Sequence, residues 1–325
     1  MRVRGLVLFS GGLDSILAVR LLQDQAIEVE GVTFVTPFFG AQNAREAAER
    51  LGMSLHVLDI TEDHLVLVKD PPHGYGKNMN PCLDCHALMI RKAGDLLRKE
   101  GMDFLFTGEV LNERPFSQNK RALEQVARLS GYGEILLRPL SAKLLPETVP
   151  ETKGLVDRSR LLDISGRSRK RQFALAQKYQ IVAYPSPAGG CLLTDPAFSR
   201  RLRESFEAGQ SSARDMELLR LGRHFRSPEG QKIILGRHQL ENEALRETLG
   251  PGDVFIHNHE FPGPDALLPE GASKKAIELA CQLCVAYSDS PEDRSTSVLV
   301  EREGNVEEMT ASPASKDTVE TLLVR

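Results

Sequence analysis

The first half of the chain alternates short apolar runs of strand character with segments whose apolar residues recur at helical spacing. Val3 to Phe9 reads as a buried strand, Leu13 to Leu22 as a helix and Val29 to Val35 as a second strand. Gln42 to Leu51 follows as a helix and Leu55 to Ile60 as a third strand. This alternation is the signature of βαβ units on a parallel sheet. A Pro/Gly-rich stretch, Pro71 to Pro81, interrupts it ahead of a long helix from about Cys85 to Lys99. Phe104 to Gly108 reads as a strand, Lys120 to Leu129 as a helix and Ile135 to Leu137 as a strand, and Pro185 to Gly190 breaks the pattern just before Cys191.

Beyond about Arg200 the texture changes. A charged helix gives way to strand-like Lys232 to Leu235, a turn-rich stretch from Gly250 to Gly271, strand-like Ser297 to Val300 and a polar tail. The expected architecture is α/β: a parallel-sheet domain over residues 1–200 and a smaller α+β domain over 201–325. No internal repeat or low-complexity segment stands out. A length of 325 residues, 41% of them hydrophobic and 26% charged, suits two ordinary globular domains.

No basic start leads into an apolar core and cleavage site, and no apolar run approaches about 20 residues. The expectation is a cytoplasmic protein with no membrane partner. The net charge of -4 does not itself suggest a polyanion. Its distribution does: Arg158, Arg160, Arg167, Arg169, Lys170 and Arg171 are followed by Arg200, Arg201 and Arg203, then by Arg220, Arg223, Arg226, Lys232 and Arg237. Any one cluster can be a solvated helix face; three in succession in an acidic chain point to a phosphate-backbone partner.

The first strand runs into Ser10-Gly11-Gly12-Leu13-Asp14-Ser15 and then into a helix. Glycines let backbone approach an anion, the helix start aims free N–H groups and its dipole at it, and two serine hydroxyls add donors. The segment is not a Walker loop, which needs Gly-Lys-Ser/Thr after four intervening residues. It is not the dinucleotide fingerprint either: the third glycine is missing, and Asp14 would repel a diphosphate unless magnesium lay between them. A glycine turn capped by serine and aspartate is the purely structural alternative.

These residues resemble the hallmark of the PP-loop (N-type) ATP-pyrophosphatases, S-G-G-x-D-S after the first strand. That resemblance implies ATP and Mg2+ as cofactors, cleavage of ATP between the α- and β-phosphates, adenylation of a substrate carbonyl oxygen and displacement of AMP by a nucleophile. It assigns nucleotide binding to Ser10, Gly11, Gly12, Asp14 and Ser15, with Asp14 also catalytic. A second stretch, Thr107-Gly108-Glu109 with Ser117-Gln118, Arg138-Pro139-Leu140 and Lys143, is similar to the series in tRNA 4-thiouridine synthases. Thr107 and Gly108 sit where open α/β sheets bind ligands, and Lys143 would offset phosphate charge.

The five cysteines are Cys82, Cys85, Cys191, Cys281 and Cys284. Cys82 and Cys85 open a helix, and Gly189-Gly190-Cys191 lies on a loop far downstream. Such a trio could hold a [4Fe-4S] cluster by three irons, the fourth carrying sulfide to an activated carbon. It resembles the pattern in cluster-dependent tRNA thiouridine synthetases, which makes Cys82, Cys85 and Cys191 both metal ligands and catalytic residues. Within the same reaction, a persulfide on Cys85 or Cys191 with the other resolving it is an alternative. Outside it, Cys82, Cys85, Cys281 and Cys284 could form a zinc site, or the downstream pair could be buried thiols on an apolar helix from Ala276 to Val285. His86 reads as a helix-surface histidine.

The resemblance covers roughly residues 1–200. The chain starts at the PP-loop strand, so the N-terminal RNA-binding region of bacterial 4-thiouridine synthases is not expected, nor is a C-terminal rhodanese segment. Leu221 to Phe225, Leu235 to His238 and Glu241 to Glu243 resemble the RNA-binding domain of NFACT-type ribosome quality-control proteins. The expected function is ATP-dependent tRNA thiolation giving a thiouridine. The expected partners are tRNA and a sulfur donor, either sulfide or a cysteine desulfurase, with homodimer formation left open. A PP-loop amide- or nitrile-forming ligase with zinc-bound cysteines and an RNA-binding adaptor are the competing readings.

Overall fold

The computed structural model describes residues 2–185, 191–291 and 294–324. The chain divides into two compact units, Met1–Thr194 and Asp195–Arg325.

The first unit runs β1 (Arg4–Leu8), α1 (Leu13–Gln23), β2 (Glu28–Val35), α2 (Gln42–Leu51), β3 (Leu55–Asp59), α3 (Thr61–Lys69), α4 (Cys82–Glu100), β4 (Phe104–Thr107), α5 (Lys120–Ser130), β5 (Leu136–Leu137), α6 (Val149–Thr152) and α7 (Lys170–Lys178). Its five strands pair in parallel in the order β3-β2-β1-β4-β5. Alternate residues of β1 and β4 enter two different cores. Val7, Phe104 and Phe106 pack with α1 and α2, whereas Leu6 and Leu105 pack with α4 and α5. Helices therefore cover both faces, which is why these strands read as continuous apolar runs. Chain order reverses at β1, with β2 on one side and β4 on the other. The crevice at the carboxyl ends of β1 and β4 is thus the topological switch point at which such sheets bind ligands.

The second unit runs α8 (Pro196–Glu207), α9 (Ala213–Leu218), β6 (Arg223–Arg226), β7 (Lys232–Leu235), α10 (Gln239–Glu247), β8 (Val254–Asn258), β9 (Ala266–Leu268), α11 (Lys274–Ala286), β10 (Thr296–Arg302), β11 (Asn305–Ala311) and α12 (Lys316–Leu322). Helix α8 runs continuously through Arg200, its start fixed by Asp195, whose side chain accepts from the Phe198 amide at 2.7 Å, and by Pro196 in the first turn. Six antiparallel strands follow the order β11-β10-β8-β9-β7-β6. One face packs Phe225, Ile233, Leu235 and Ile256 on α11, and the other packs Ile234, Phe255 and Leu267 with Leu218 and Leu245.

Two expectations for this half are corrected. The turn-rich stretch 250–271 contains β8 and β9, and the polar tail forms β11 and α12. Strand β11 pairs with β10 over seven residues while only Ala311 of its own is buried, so it carries no alternating apolar signal. Among the described residues no helix is long and apolar enough to cross a membrane.

Candidate active site

The loop after β1 is shaped by backbone fit. Gly11 has φ +74°, and a β-carbon there would stand 2.2 Å from the Asn43 carbonyl oxygen at the start of α2. Only glycine meets both demands. Gly12 caps α1 with extended backbone and no side-chain hydrogen bond. The first intrahelical bond from Ile16 to the Gly12 carbonyl, at 3.1 Å, leaves the preceding amides of the first turn for a ligand. Ser15 Oγ donates to the Gly12 carbonyl at 2.8 Å, and the Gly12 amide donates to Ser10 Oγ at 3.3 Å.

The second motif is brought directly against this helix start. At the carboxyl end of β4, a β-carbon on Gly108 would lie 2.5 Å from the Ser15 amide nitrogen and 2.6 Å from the Asp14 carbonyl carbon. Thr107 and Glu109 lock the segment: Thr107 Oγ1 donates to Glu109 Oε2 at 3.1 Å, and Arg138 Nε donates to the same oxygen at 2.9 Å. His86 Nδ1 lies 3.2 Å from the other carboxylate oxygen. Burial raises the Glu109 pKa, but Arg138 and His86 outweigh it and hold the carboxyl down to about 2. Glu109 thereby ties β4 to Arg138 and to the first turn of α4. His86 is not a bare surface histidine as expected; its ring is half-buried on this carboxylate.

Asp14 projects from the first turn of α1. Its Oδ2 accepts from Arg169 Nη2 at 3.3 Å, and Arg169 Nε lies 3.6 Å from Glu113 Oε1. Asp14 Oδ1 is buried and has no hydrogen-bond partner among the described residues. Burial pushes the Asp14 carboxyl up against the pull of Arg169 and Arg114, and burial together with Asp14 pushes Glu113 up. Two acids thus share one guanidinium at the loop. Neither Arg169 nor Glu113 was identified as a site residue in the sequence; Arg169 stood only within a basic run, 155 residues from Asp14.

The cysteine trio is also gathered. Asn78, in the loop before α4, donates to the Thr194 carbonyl at 2.6 Å, and Thr194 Oγ1 donates to the Cys191 carbonyl at 2.8 Å. The Leu192 amide donates to the Phe38 carbonyl at 3.2 Å. Gly189 and Gly190 lie outside the described residues. Cys85 is buried, Cys82 and Cys191 are half-buried, and all three are free thiols. Burial raises each thiol pKa. Cys85 is driven well above the ordinary range, with Cys191 and Cys82 adding to the shift, and Cys191 is pushed up to about 11 by burial, with Cys82 adding to it. The charge of Arg114 pulls on Asp14, Glu113 and Cys82 alike, against the burial that raises each. Beside the trio, His73 pairs with Asp84 at 2.6 Å.

Three thiols are the right donors in kind for a soft metal or an iron–sulfur cluster. Among the described residues, however, no group of three His, Cys, Asp or Glu is drawn into metal-holding geometry. The alternative zinc set loses half its donors, because Cys281 and Cys284 are 1% and 0% exposed in the apolar core against α11's sheet. Lys143 is not brought to the loop by any contact seen here: its Nζ donates to the Ser159 carbonyl at 2.7 Å. Much of the basic surface is also internally paired. Arg158 binds Glu147 and Glu151, Arg171 binds Asp163, Arg226 binds Glu204 and Arg237 binds Glu241.

Comparison with known proteins adds three likenesses. Residues 222–323 match a family described as NFACT protein RNA binding domain. The chain is 30% identical over 176 residues to the tRNA-specific 2-thiouridylase MnmA of Pelobacter propionicus, covering 50% of this chain and 48% of that one. It is 34% identical over 114 residues to the corresponding enzyme of Sulfurimonas denitrificans, 31% of this chain and 33% of that one. The chain therefore spans about half or less of the curated relatives it matches. Among solved structures, a 4-thiouridine synthetase–RNA complex with bound ATP aligns with a TM-score of 0.37 at 19% identity, over 55% of this chain and 52% of that one. In its loop and its relatives the chain resembles the PP-loop family, and within it the tRNA thiouridylases.

Proposed function

We propose that the protein thiolates a uridine of tRNA in two steps. In the first, ATP binds at the switch point, with its phosphates on the free amides of α1 and the hydroxyls of Ser10 and Ser15. Asp14 Oδ1, buried and unpartnered, meets the magnesium ion that accompanies ATP. The uridine carbonyl oxygen attacks the α-phosphate and pyrophosphate leaves. Arg169 and Arg114 offset the charge that develops there.

In the second step sulfur attacks the activated carbon and AMP departs. Cys82, Cys85 and Cys191 supply it. A [4Fe-4S] cluster would be held by these three residues and would offer an open iron for sulfide. In the persulfide form, the terminal sulfur of one cysteine bonds to carbon as AMP leaves. A second cysteine then attacks the S–S bond, releasing the thiouridine and leaving a disulfide that a thiol reductant reopens. Sulfide would replenish the cluster form, and a desulfurase, whose own persulfide hands over sulfane sulfur, would replenish the persulfide form.

The observation that carries this reading is Asp14 Oδ1, buried without a hydrogen-bond partner in the first turn of α1, directly after the glycine loop. The thiols of Cys82, Cys85 and Cys191, which belong to the same unit as the loop, are the sulfur source that this reading proposes for the adenylated carbonyl. The NFACT-type match over residues 222–323 supports an RNA partner. The test is anaerobic reconstitution with ATP and unmodified tRNA, supplied either with sulfide or with a cysteine desulfurase, cysteine and a thiol reductant. Thiouridine formed with one AMP and one pyrophosphate per turnover supports the reading; pyrophosphate release without sulfur incorporation counts against it. Iron and acid-labile sulfide content separates the cluster from the persulfide.

A further inference from the structure

On β6 and β7 of the second unit, Phe225 and Ile233 face α11, so His224, Arg226 and Lys232 lie on the opposite face. Arg226 and Lys232 are directly cross-strand neighbours. Arg226 is satisfied: it binds Glu204 of α8, the Gln210 side chain at 3.3 Å and the Gly230 carbonyl at 3.0 Å. The others are not. Lys232 is 3% exposed and its Nζ has no hydrogen-bond partner; His224 is 2% exposed, with Nε2 2.9 Å from the Leu221 carbonyl and Nδ1 unpartnered. From α8, Arg201 adds a buried Nε that is likewise unpartnered.

These groups feel one another. Arg201, Arg226 and Lys232 all act against protonation of His224, and Arg201 acts against Lys232. The nearby acids are engaged elsewhere: Glu204 holds Arg226, and Asp215 accepts from the Ser212 amide and hydroxyl at 2.9 and 2.7 Å. Around Arg201, the opposing charges of Arg200 and Arg237 stand against Asp195 and Glu241, the latter already bound to Arg237. A buried ammonium beside a guanidinium, with no acid of its own, is costly unless an anion offsets it. Arg201 itself is half-buried on α8.

We propose that Arg201 and Lys232 form a pocket for a single phosphate group, with Arg226 and His224 as its wall. The phosphate would come from the RNA backbone, in which case the inference rests on the tRNA reading above, or from free phosphate. The pocket is composite, because Lys232 lies within the NFACT-type match at 222–323 whereas Arg201 precedes it. A phosphate oxygen would accept from Lys232 Nζ and Arg201 Nε, both of which lack an acceptor.

The test uses the full chain and its Lys232→Met and Arg201→Gln forms. Binding to tRNA is measured against salt, and melting is measured with and without inorganic phosphate. Each substitution should weaken tRNA binding on the order of tenfold and flatten the log–log salt slope by about one contact. Lys232→Met should melt no lower than the parent without phosphate, since it removes an unpaired charge, which separates this effect from misfolding. If phosphate raises the parent's melting temperature but not that of Lys232→Met while tRNA affinities stay equal, the pocket stands and its ligand is free phosphate. If both readouts are unchanged by the substitutions, there is no pocket. A parent that fails to bind tRNA overturns the thiolase reading instead, and the phosphate melt alone then decides the pocket.

Discussion

Gly108 and Ser15 touch backbone to backbone: a β-carbon on Gly108 would stand 2.5 Å from the Ser15 amide nitrogen, although the residues are far apart in the chain. The Thr-Gly-Glu segment therefore fixes the first turn of α1, on which the proposed phosphate binding depends. Gly108→Ala should displace that turn, costing about 1–3 kcal/mol of stability and most of the affinity for ATP. Gly12→Ala is the control for stability alone, since its β-carbon would meet only Ser10 Oγ at 3.4 Å among protein atoms. Thermal melts with titrated ATP check the pair; equal ATP affinity in Gly108→Ala and the parent would refute the clamp.

Asp14→Asn should abolish pyrophosphate release while leaving tRNA affinity nearly intact. The carboxylate is proposed to meet the metal, whereas the RNA contacts are proposed on the second unit. A coupled pyrophosphate assay beside a filter-binding curve gives both numbers. Retained pyrophosphate release would remove Asp14 from the chemistry.

Glu109 should make stability acid-sensitive. Its folded pKa, held at about 2 against an ordinary 4.5, is depressed, so its contribution is complete above 4.5 and is lost as pH falls toward 2. Glu109→Gln leaves Arg138 buried without its counter-charge and should cost about 3–5 kcal/mol at neutral pH. Urea unfolding at several pH values should show the gap between parent and variant closing in acid. A gap independent of pH would mean that Glu109 is not ionised in the fold.

The thiols should be sluggish when no cluster or persulfide is present. Cys191, pushed up to about 11, is protonated at neutral pH, and the thiolate is the reactive form. Alkylation of the reduced protein by iodoacetamide, followed by peptide mass spectrometry, should be slower at Cys191 than in free cysteine and should accelerate up to about pH 11. Cys281 and Cys284 should react only on unfolding, being packed in the core. Rapid neutral-pH labelling of Cys191 would contradict its burial.

The glycine turn between the first strand and helix and the parallel sheet were legible because each rests on local signals: a strand ending in Ser-Gly-Gly, then a helical period. The sheet order was not, since the position of β1 between β2 and β4 depends on pairing across the chain. The same limit hid Arg169, which reads as one of a basic run until folding sets it on Asp14. It also hid the pairing of Arg138, named only as part of a motif, and His86, read as a surface residue, on Glu109. Lys143 carried a charge of the right sign but lies at the Ser159 carbonyl. Strand β11 escaped notice because an exposed edge strand has no buried face to impose a pattern.

The most direct test is mass spectrometry of nucleosides from tRNA of a strain lacking this gene, complemented with the parent or with Cys191→Ala. The account predicts that one thiouridine disappears and that only the parent restores it. An unchanged set of thionucleosides in the deletion strain, or full restoration by Cys191→Ala, would contradict it.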